Sequence, residues 1–176
     1  MTTRILLFVG VAWAACSAFA GNFTLKTAPT SLSDWQSPAS YVENAAPGAG
    51  DTVILPQHTT VLVHDDEMDF LSGLRLLKLQ AADDSFVHFD LAEDHTLLCA
   101  VTAAGYSVRK GGIIKSGAGR LTLNSGTTDV YAGTSKNNYY CSLDVRGGVL
   151  VVGSALVSSI NFQHVTIAAG GTLLVP

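Results

Sequence analysis

The feature that most constrains this chain is its succession of short apolar runs. After residue 50, segments such as DTVILP, TTVLVH, SFVHFDL, HTLLCAV, RLTLNS, SLDVRG, GVLVVG, HVTIAA and GTLLVP follow one another. They are rich in Val, Ile, Leu, Thr and Phe, and most are bounded by Gly, Pro, Asn, Asp or Ser. Short alternating runs between turn residues are strand chemistry. No window of helical length carries uninterrupted apolar residues at three- and four-residue spacing. FLSGLRLLKL comes nearest, but Gly73 interrupts it, and Leu74 and Leu76 fit a strand equally well. The expectation is a nearly all-β chain.

An all-β chain of this kind can be a sandwich, a barrel or a solenoid, and the joins decide. Two-residue hairpins favour Asn-Gly or Asp-Gly, and neither dipeptide occurs in this sequence. Paired glycines instead precede short strands in GGIIKS at 111, GGVLVV at 147 and GGTLLV at 170, separated by 36 and then 23 residues. A strand laid down after each corner and stacked on the turn below is the pattern of a parallel β-helix. Glycine suits such corners because they call for positive φ and close backbone approach. The stretch GGIIKSGAGRLTLNSG, residues 111–126, raises the separate question of a phosphate loop. Lys115-Ser116 matches one only superficially. The glycine spacing fails G-x-x-x-x-G-K, and Leu121, Thr122 and Leu123 continue as a strand rather than opening a helix.

GGIIKSGAGRLTLNSGTTDVYAG followed by SLDVRGGVLVVGS resembles the autotransporter-associated β-strand repeat. Lys115, Gly117, Gly119, Leu121, Leu123, Gly126, Tyr131, Gly133, Gly148 and Leu150 stand where that repeat has its Lys, Gly, aromatic and Leu positions. VTIAAGGTLLV, residues 165–175, is similar to a following half-repeat, and residues 34–63 are similar to the first coils of exported β-helices. The resemblance is strong over 111–152 and loose elsewhere. TSKNNYYCS departs from it as a long insert. The resemblance implies a surface-exposed or secreted right-handed parallel β-helix passenger of bacterial origin, in which the repeat is structural and carries no catalytic residues. A second departure is that nothing in the sequence supplies the many segments of about 10 residues that a membrane β-barrel needs. The chain stops at Pro176 inside the expected strand TLLVP. A solenoid without a polar cap exposes its core, so the β-helix is expected to be incomplete at the C-terminus: a fragment, or a chain that pairs this end with another.

The first residues read as an address. Arg4, the apolar run ILLFVGVAWAA and the A-x-A site AFA at 18–20 form a signal peptide over residues 1–20. The run is too short for a membrane span of roughly 20 apolar residues, and no other stretch approaches one. Cys16 offers a rival reading as the lipid-modified cysteine of a lipoprotein, but Trp13 stands where that signal carries an aliphatic residue. The expected organisation is a signal peptide over 1–20, an N-terminal cap segment over 21–50, and β-helix coils over 51–176. The expected location is extracellular or on the outer cell surface.

Net charge is −4. Residues 51–100 hold ten acids and two bases, and residues 101–150 two acids and six bases. So few bases argue against nucleic acid as a partner, because that partner needs a basic face. Two cysteines follow the signal, Cys99 and Cys141. An exported compartment permits a disulfide between them, and two buried thiols fit equally well.

Each candidate site competes with a plain structural role. HDDEMD, residues 64–69, suggests calcium, but the calcium-binding solenoid pattern is absent, and a solvated turn accounts for the acids. HFDLAEDH, residues 88–95, puts His88 and Asp90 on one strand face with His95 after a turn. Imidazole and carboxylate could ligate zinc or serve as acid and base. Val87, Phe89 and Leu91 take the core by alternation, leaving His88 and Asp90 as an outward row. A polysaccharide lyase or hydrolase could line such a face with Asp90, Glu93, Asp94, Arg109 and Lys110. Tyr139 and Tyr140 in KNNYYC could stack on sugar or pack as a loop, and Asn22-Phe23-Thr24 is a glycosylation sequon that carries no weight in a bacterial protein. The expectation is a non-enzymatic stalk or adhesion scaffold with no catalytic residue, cofactor or metal. Its partners are expected to be surface carbohydrate, another protein, or a second copy meeting end to end. A carbohydrate-active β-helix enzyme is the alternative, and a small secreted sandwich-type binding module a third.

Overall fold

The structure, a computed structural model, describes residues 20–79, 85–103, 111–123, 141–152 and 162–175. The described residues begin with strand β1 (Asn22–Thr24) and a short helix α1 (Leu32–Gln36), followed by β2 (Thr52–Ile54) and β3 (Thr60–Val63). A second short helix, α2 (Met68–Gly73), precedes β4 (Leu76–Leu79), β5 (Phe86–Asp90) and β6 (His95–Leu97). Next come β7 (Ala100–Ala103), β8 (Gly111–Ser116) and β9 (Arg120–Leu123). The last described strands are β10 (Cys141–Val145), β11 (Gly148–Val152), β12 (Phe162–Ile167) and β13 (Gly171–Leu174).

All three sheets are parallel. Their strand orders are β1-β2-β4-β7, β3-β5-β8-β10-β12 and β6-β9-β11-β13. The chain visits them in rotation: β4, β5 and β6, then β7, β8 and β9, each strand landing on its counterpart from the round before. One round takes between 22 residues (Leu143 to Val165) and 30 (Ile113 to Leu143). This mostly β, all-parallel pattern is consistent with a parallel β-solenoid.

Register stacks like on like. Val53, Leu77 and Val101 form one buried row in the first sheet. Val61, Val87, Ile113 and Leu143 form a second, in the five-stranded sheet. Leu121 and Leu150 form a third, and Leu123 and Val152 a fourth. Alternation explains this, because successive strand side chains face opposite ways and each inward residue meets another inward residue above and below. Val87, Phe89 and Leu91 are buried as alternation requires.

Three local features differ from the expectation. HTLLCAV is not one strand. It breaks between β6 and β7, which belong to different sheets, with Leu98 exposed and Cys99 buried at the corner. FLSG is helical, as the end of α2. A turn of 3-10 helix (Asp65–Glu67) leads into it, where the Glu67 Oε2 accepts the His64 N–H at 2.6 Å and the His64 side chain accepts the Glu67 N–H. This reciprocal cap satisfies two orphan donors and starts a helix that propensity alone leaves ambiguous. Met68 and Leu71, three apart, then bury one face of it. The glycine pairs are also unequal. Gly148 and Gly170 have positive φ, whereas Gly112 lies inside β8 without it.

The tightest corner is the one after β8. Gly117 has φ +76, and a Cβ there would sit 2.2 Å from the Leu91 carbonyl oxygen. A Cβ on Gly119 would sit 1.9 Å from the Glu93 oxygen. Any side chain at either position would push the rounds apart, which is why the sequence spends glycine twice here.

The two ends of the stack differ. At the end formed by β1 and β3, Trp35, Tyr41, Val61, Val63 and Leu71 are fully buried. At the other end the inward positions of β12, Val165 and Ile167, are exposed.

Candidate functional site

The outward face of the five-stranded sheet carries the polar groups that chemistry would use. On β5, His88 and Asp90 both point outward and are half-buried. In the next round Ile114 pairs with His88, and Ser116 with Asp90. One round further, Asp144 pairs with Ile114, and Arg146 follows the end of β10. The Ser116 hydroxyl donates to Asp90 Oδ1 at 2.7 Å, and His88 Nε2 lies 2.7 Å from the same hydroxyl. With the Ser116 proton committed to the carboxylate, the imidazole bonds as the donor through Nε2–H. Burial, and then the nearby Arg146 guanidinium, pull His88 below its ordinary pKa, outweighing Asp90 and Asp144. The imidazole is therefore neutral at pH 7. Arg146 Nε donates to Asp144 Oδ2 at 2.7 Å.

A second group sits at the corner between the sheets. Asp65 Oδ2 accepts the Ala92 N–H at 3.0 Å, and Oδ1 accepts the Glu93 N–H at 3.0 Å and bonds His95 Nε2 at 2.8 Å. Partial burial opposes ionisation of Asp65, but the two amides and the imidazole outweigh it and hold the carboxyl below its usual value. The next round repeats the device, with Asp94 Oδ1 accepting the Arg120 N–H at 2.8 Å. The 64–69 stretch is thus not a plain solvated turn. Asp65 ties one round to the next, and Glu67 is buried, its pKa raised by desolvation above all.

Lys115 lies inside the stack. It stands in the inward row between Phe89 and Val145 and is fully buried. Its ammonium donates to the carbonyls of Ser116 and Gly117. Desolvation lowers its pKa, opposed by Asp90, Asp65 and Asp94 outside the wall.

The structure therefore joins His88 and Asp90 through Ser116, and separates His95 from them by giving it to Asp65. Arg109, Lys110, Tyr139 and Tyr140 lie outside the described residues, as do residues 1–19, which hold Cys16 and nearly all of the expected signal segment. Cys99 is a free, buried thiol whose pKa burial pushes up to about 12, the environment of an inert packing cysteine. The Cys141 side chain lies outside the description. Among the described residues no three His, Cys, Asp or Glu groups are placed to hold a metal ion, and no described helix is long and apolar enough to cross a membrane.

Sequence reading missed Ser116, Asp144, Arg146 and the inward turn of Lys115. The signal was present in the alternation. Aligning VHFD, IIKS and LDVR puts Asp90 beside Ser116, and Lys115 on the face of Phe89. Chemically, a hydroxyl that already donates to a carboxylate and accepts from an imidazole has no base waiting for its proton, unlike an activated nucleophile. Comparisons with protein-family models, curated proteins and solved structures return no match.

Proposed function

We propose that this chain is the wall of an exported right-handed parallel β-helix, a non-enzymatic scaffold of the stalk or adhesion type from a bacterial surface or secreted passenger. The observation that carries this reading is how the chemically capable groups are used. Asp65 accepts two backbone amides and an imidazole from the following round, Asp94 accepts an amide from the round after, and Ser116 ties His88 to Asp90. Each of these bonds joins one round of the chain to the next. A solenoid gains most of its stability from such nearest-neighbour terms. The repeat resemblance over 111–152 and the signal-like residues 1–20 supply the exported, surface setting.

One observation favours the alternative of a carbohydrate-active β-helix enzyme: His88, Ser116 and Asp90 are in contact on an outward sheet face. The test is product release from a panel of acidic and neutral polysaccharides by the exported chain and by His88→Ala. The scaffold reading expects no cleavage by either protein. It also expects His88→Ala to lower stability by about 1 kcal/mol, through loss of one hydrogen bond. Cleavage that disappears in His88→Ala with the fold intact would establish the enzyme.

A further inference from the structure

Gly21 is the first residue after the expected cleavage site Ala18-Phe19-Ala20, and its nitrogen has a defined place in the fold. It donates to Asp51 Oδ1 at 2.7 Å. The other carboxylate oxygen, Oδ2, accepts the Gly48 N–H at 2.7 Å. The Gly21 carbonyl in turn accepts the Thr52 N–H at 2.9 Å. From there β1 runs in register along β2, with Asn22 beside Thr52 and Thr24 beside Ile54. The Gly21–Asp51 bond therefore stands at the point where the first strand joins its sheet.

What Asp51 lacks is a cation. Among the described residues the ion pairs are His95–Asp65 and Arg146–Asp144. Arg75 is adjacent, since its backbone N–H donates to the Asp51 carbonyl at 2.8 Å, but its guanidinium goes to Thr52 Oγ1 at 2.9 Å instead. Asp51 is half-buried, and its carboxylate is met by two neutral amides. A positive charge beside it would favour the ionised form further.

Cleavage after Ala20 would supply that charge at the right atom. Hydrolysis adds water across the Ala20–Gly21 peptide bond, leaving a carboxylate on Ala20 and an amine on Gly21. An α-amine has an ordinary pKa of about 8, so it is mostly protonated at pH 7. The nitrogen need not move. The atom that donates to Oδ1 as an amide becomes an ammonium with three donors, and the bond becomes a charge-assisted one, roughly twice as strong.

We propose that Asp51 is the docking carboxylate for a free α-ammonium on Gly21, so that removal of the signal segment creates an ion pair that fastens β1 to β2 in the mature chain. This rests on the exported reading of the proposed function, but not on the absence of catalysis.

The test is the rate at which acetic anhydride acylates the α-amine of the exported chain at pH 7, read on the N-terminal peptide by mass spectrometry. Only the unprotonated amine reacts. The proposal expects the parent chain to begin at Gly21 and to react about tenfold more slowly than Asp51→Asn, because the carboxylate stabilises the unreactive ammonium. It expects fast acylation also in a chain with one extra alanine inserted between Ala20 and Gly21. There the charge sits one residue beyond Asp51 and the Gly21 nitrogen is an amide again. A parent chain that begins at another residue overturns the proposal, as does a parent rate equal to that of Asp51→Asn. Should Asp51→Asn fail to fold, the inserted chain decides, and a rate equal to the parent's overturns the docking. An exported chain that begins at Gly21 with a fast-reacting amine sinks the ion pair and leaves the scaffold standing. A chain that keeps residues 1–20 and stays inside the cell sinks the exported reading as well. Polysaccharide cleavage sinks the scaffold and leaves the ion pair standing.

Discussion

Lys115 stands in register beside Phe89, and both side chains are fully buried inside the stack. A lysine in an apolar row needs a reason. The reason is the corner that follows it, where the chain turns through Gly117 at positive φ and two carbonyls, Ser116 O and Gly117 O, face inward onto the ammonium. Buried carbonyls without a partner are costly, and a long cationic side chain from the adjacent inward position reaches both. The lysine of the repeat-like motif is therefore a packing and capping residue of the corner, not a ligand-binding one.

The pH dependence of Lys115 follows. Its pKa in the fold is lowered below the ordinary 10.5, so at alkaline pH the unfolded chain holds a proton that the folded chain has released. Stability therefore rises with pH from the lowered value up to 10.5. Lys115→Met keeps the volume and should abolish this alkaline rise. Lys115→Ala opens a cavity and leaves two carbonyls unpartnered, and should cost about 2–5 kcal/mol. Urea unfolding at stepped pH measures both. A parent chain with the same alkaline profile as Lys115→Met would place the ammonium in solvent.

Asp65 makes the opposite prediction at the acid end. Its carboxyl lies below its usual value because the Ala92 and Glu93 amides and His95 prevail over desolvation. A depressed carboxylate contributes stability that is complete above its unfolded pKa of 3.8 and lost as pH falls through the folded value. Asp65→Ala should cost about 1.5–3 kcal/mol near neutral pH, as a charged acceptor is withdrawn from its donors. It should also flatten the acid limb of the stability curve below pH 3.8. Thermal unfolding of the two proteins between neutral and acid pH checks this. An unchanged acid limb would mean that the tie between Asp65 and the following round does not form.

What was legible in the sequence was the local alternation. The inward set Val87, Phe89 and Leu91 and the outward pair His88 and Asp90 follow from period two alone, because strand geometry leaves no other choice. What was not legible depends on which round lies above which. Asp65 meets Ala92, Glu93 and His95 from 27 to 30 positions away, and no local pattern fixes that distance when rounds vary in length. The break in HTLLCAV was hidden for a related reason. A continuous apolar run reads as one strand whether or not the chain turns a corner within it, as it does at Leu98 and Cys99. Helix α2 was hidden because its stability comes from the His64–Glu67 cap and from burial of Met68 and Leu71, while its own residues carry weak propensity and a glycine.

Alternation and register together rank a set of substitutions. Leu121 and Leu150 are fully buried and stacked in one row, so Leu121→Ala and Leu150→Ala should each cost about 2–5 kcal/mol. Thr122 lies between Leu121 and Leu123 on the other face of β9 and is half-buried. Thr122→Ala should stay within about 0.5 kcal/mol. Leu173 continues the Leu121–Leu150 row but is covered on one side only. Leu173→Ala should therefore cost less than half as much. Gly119→Ala should be the most damaging, because the new methyl would fall 1.9 Å from the Glu93 oxygen, backbone that has no side chain to swing aside. Denaturant midpoints for the five variants test the order. A Thr122 cost equal to that of Leu121 would show the strand register to be wrong by one residue. A Leu173 cost equal to that of Leu150 would show this end of the row to be packed as closely as its middle.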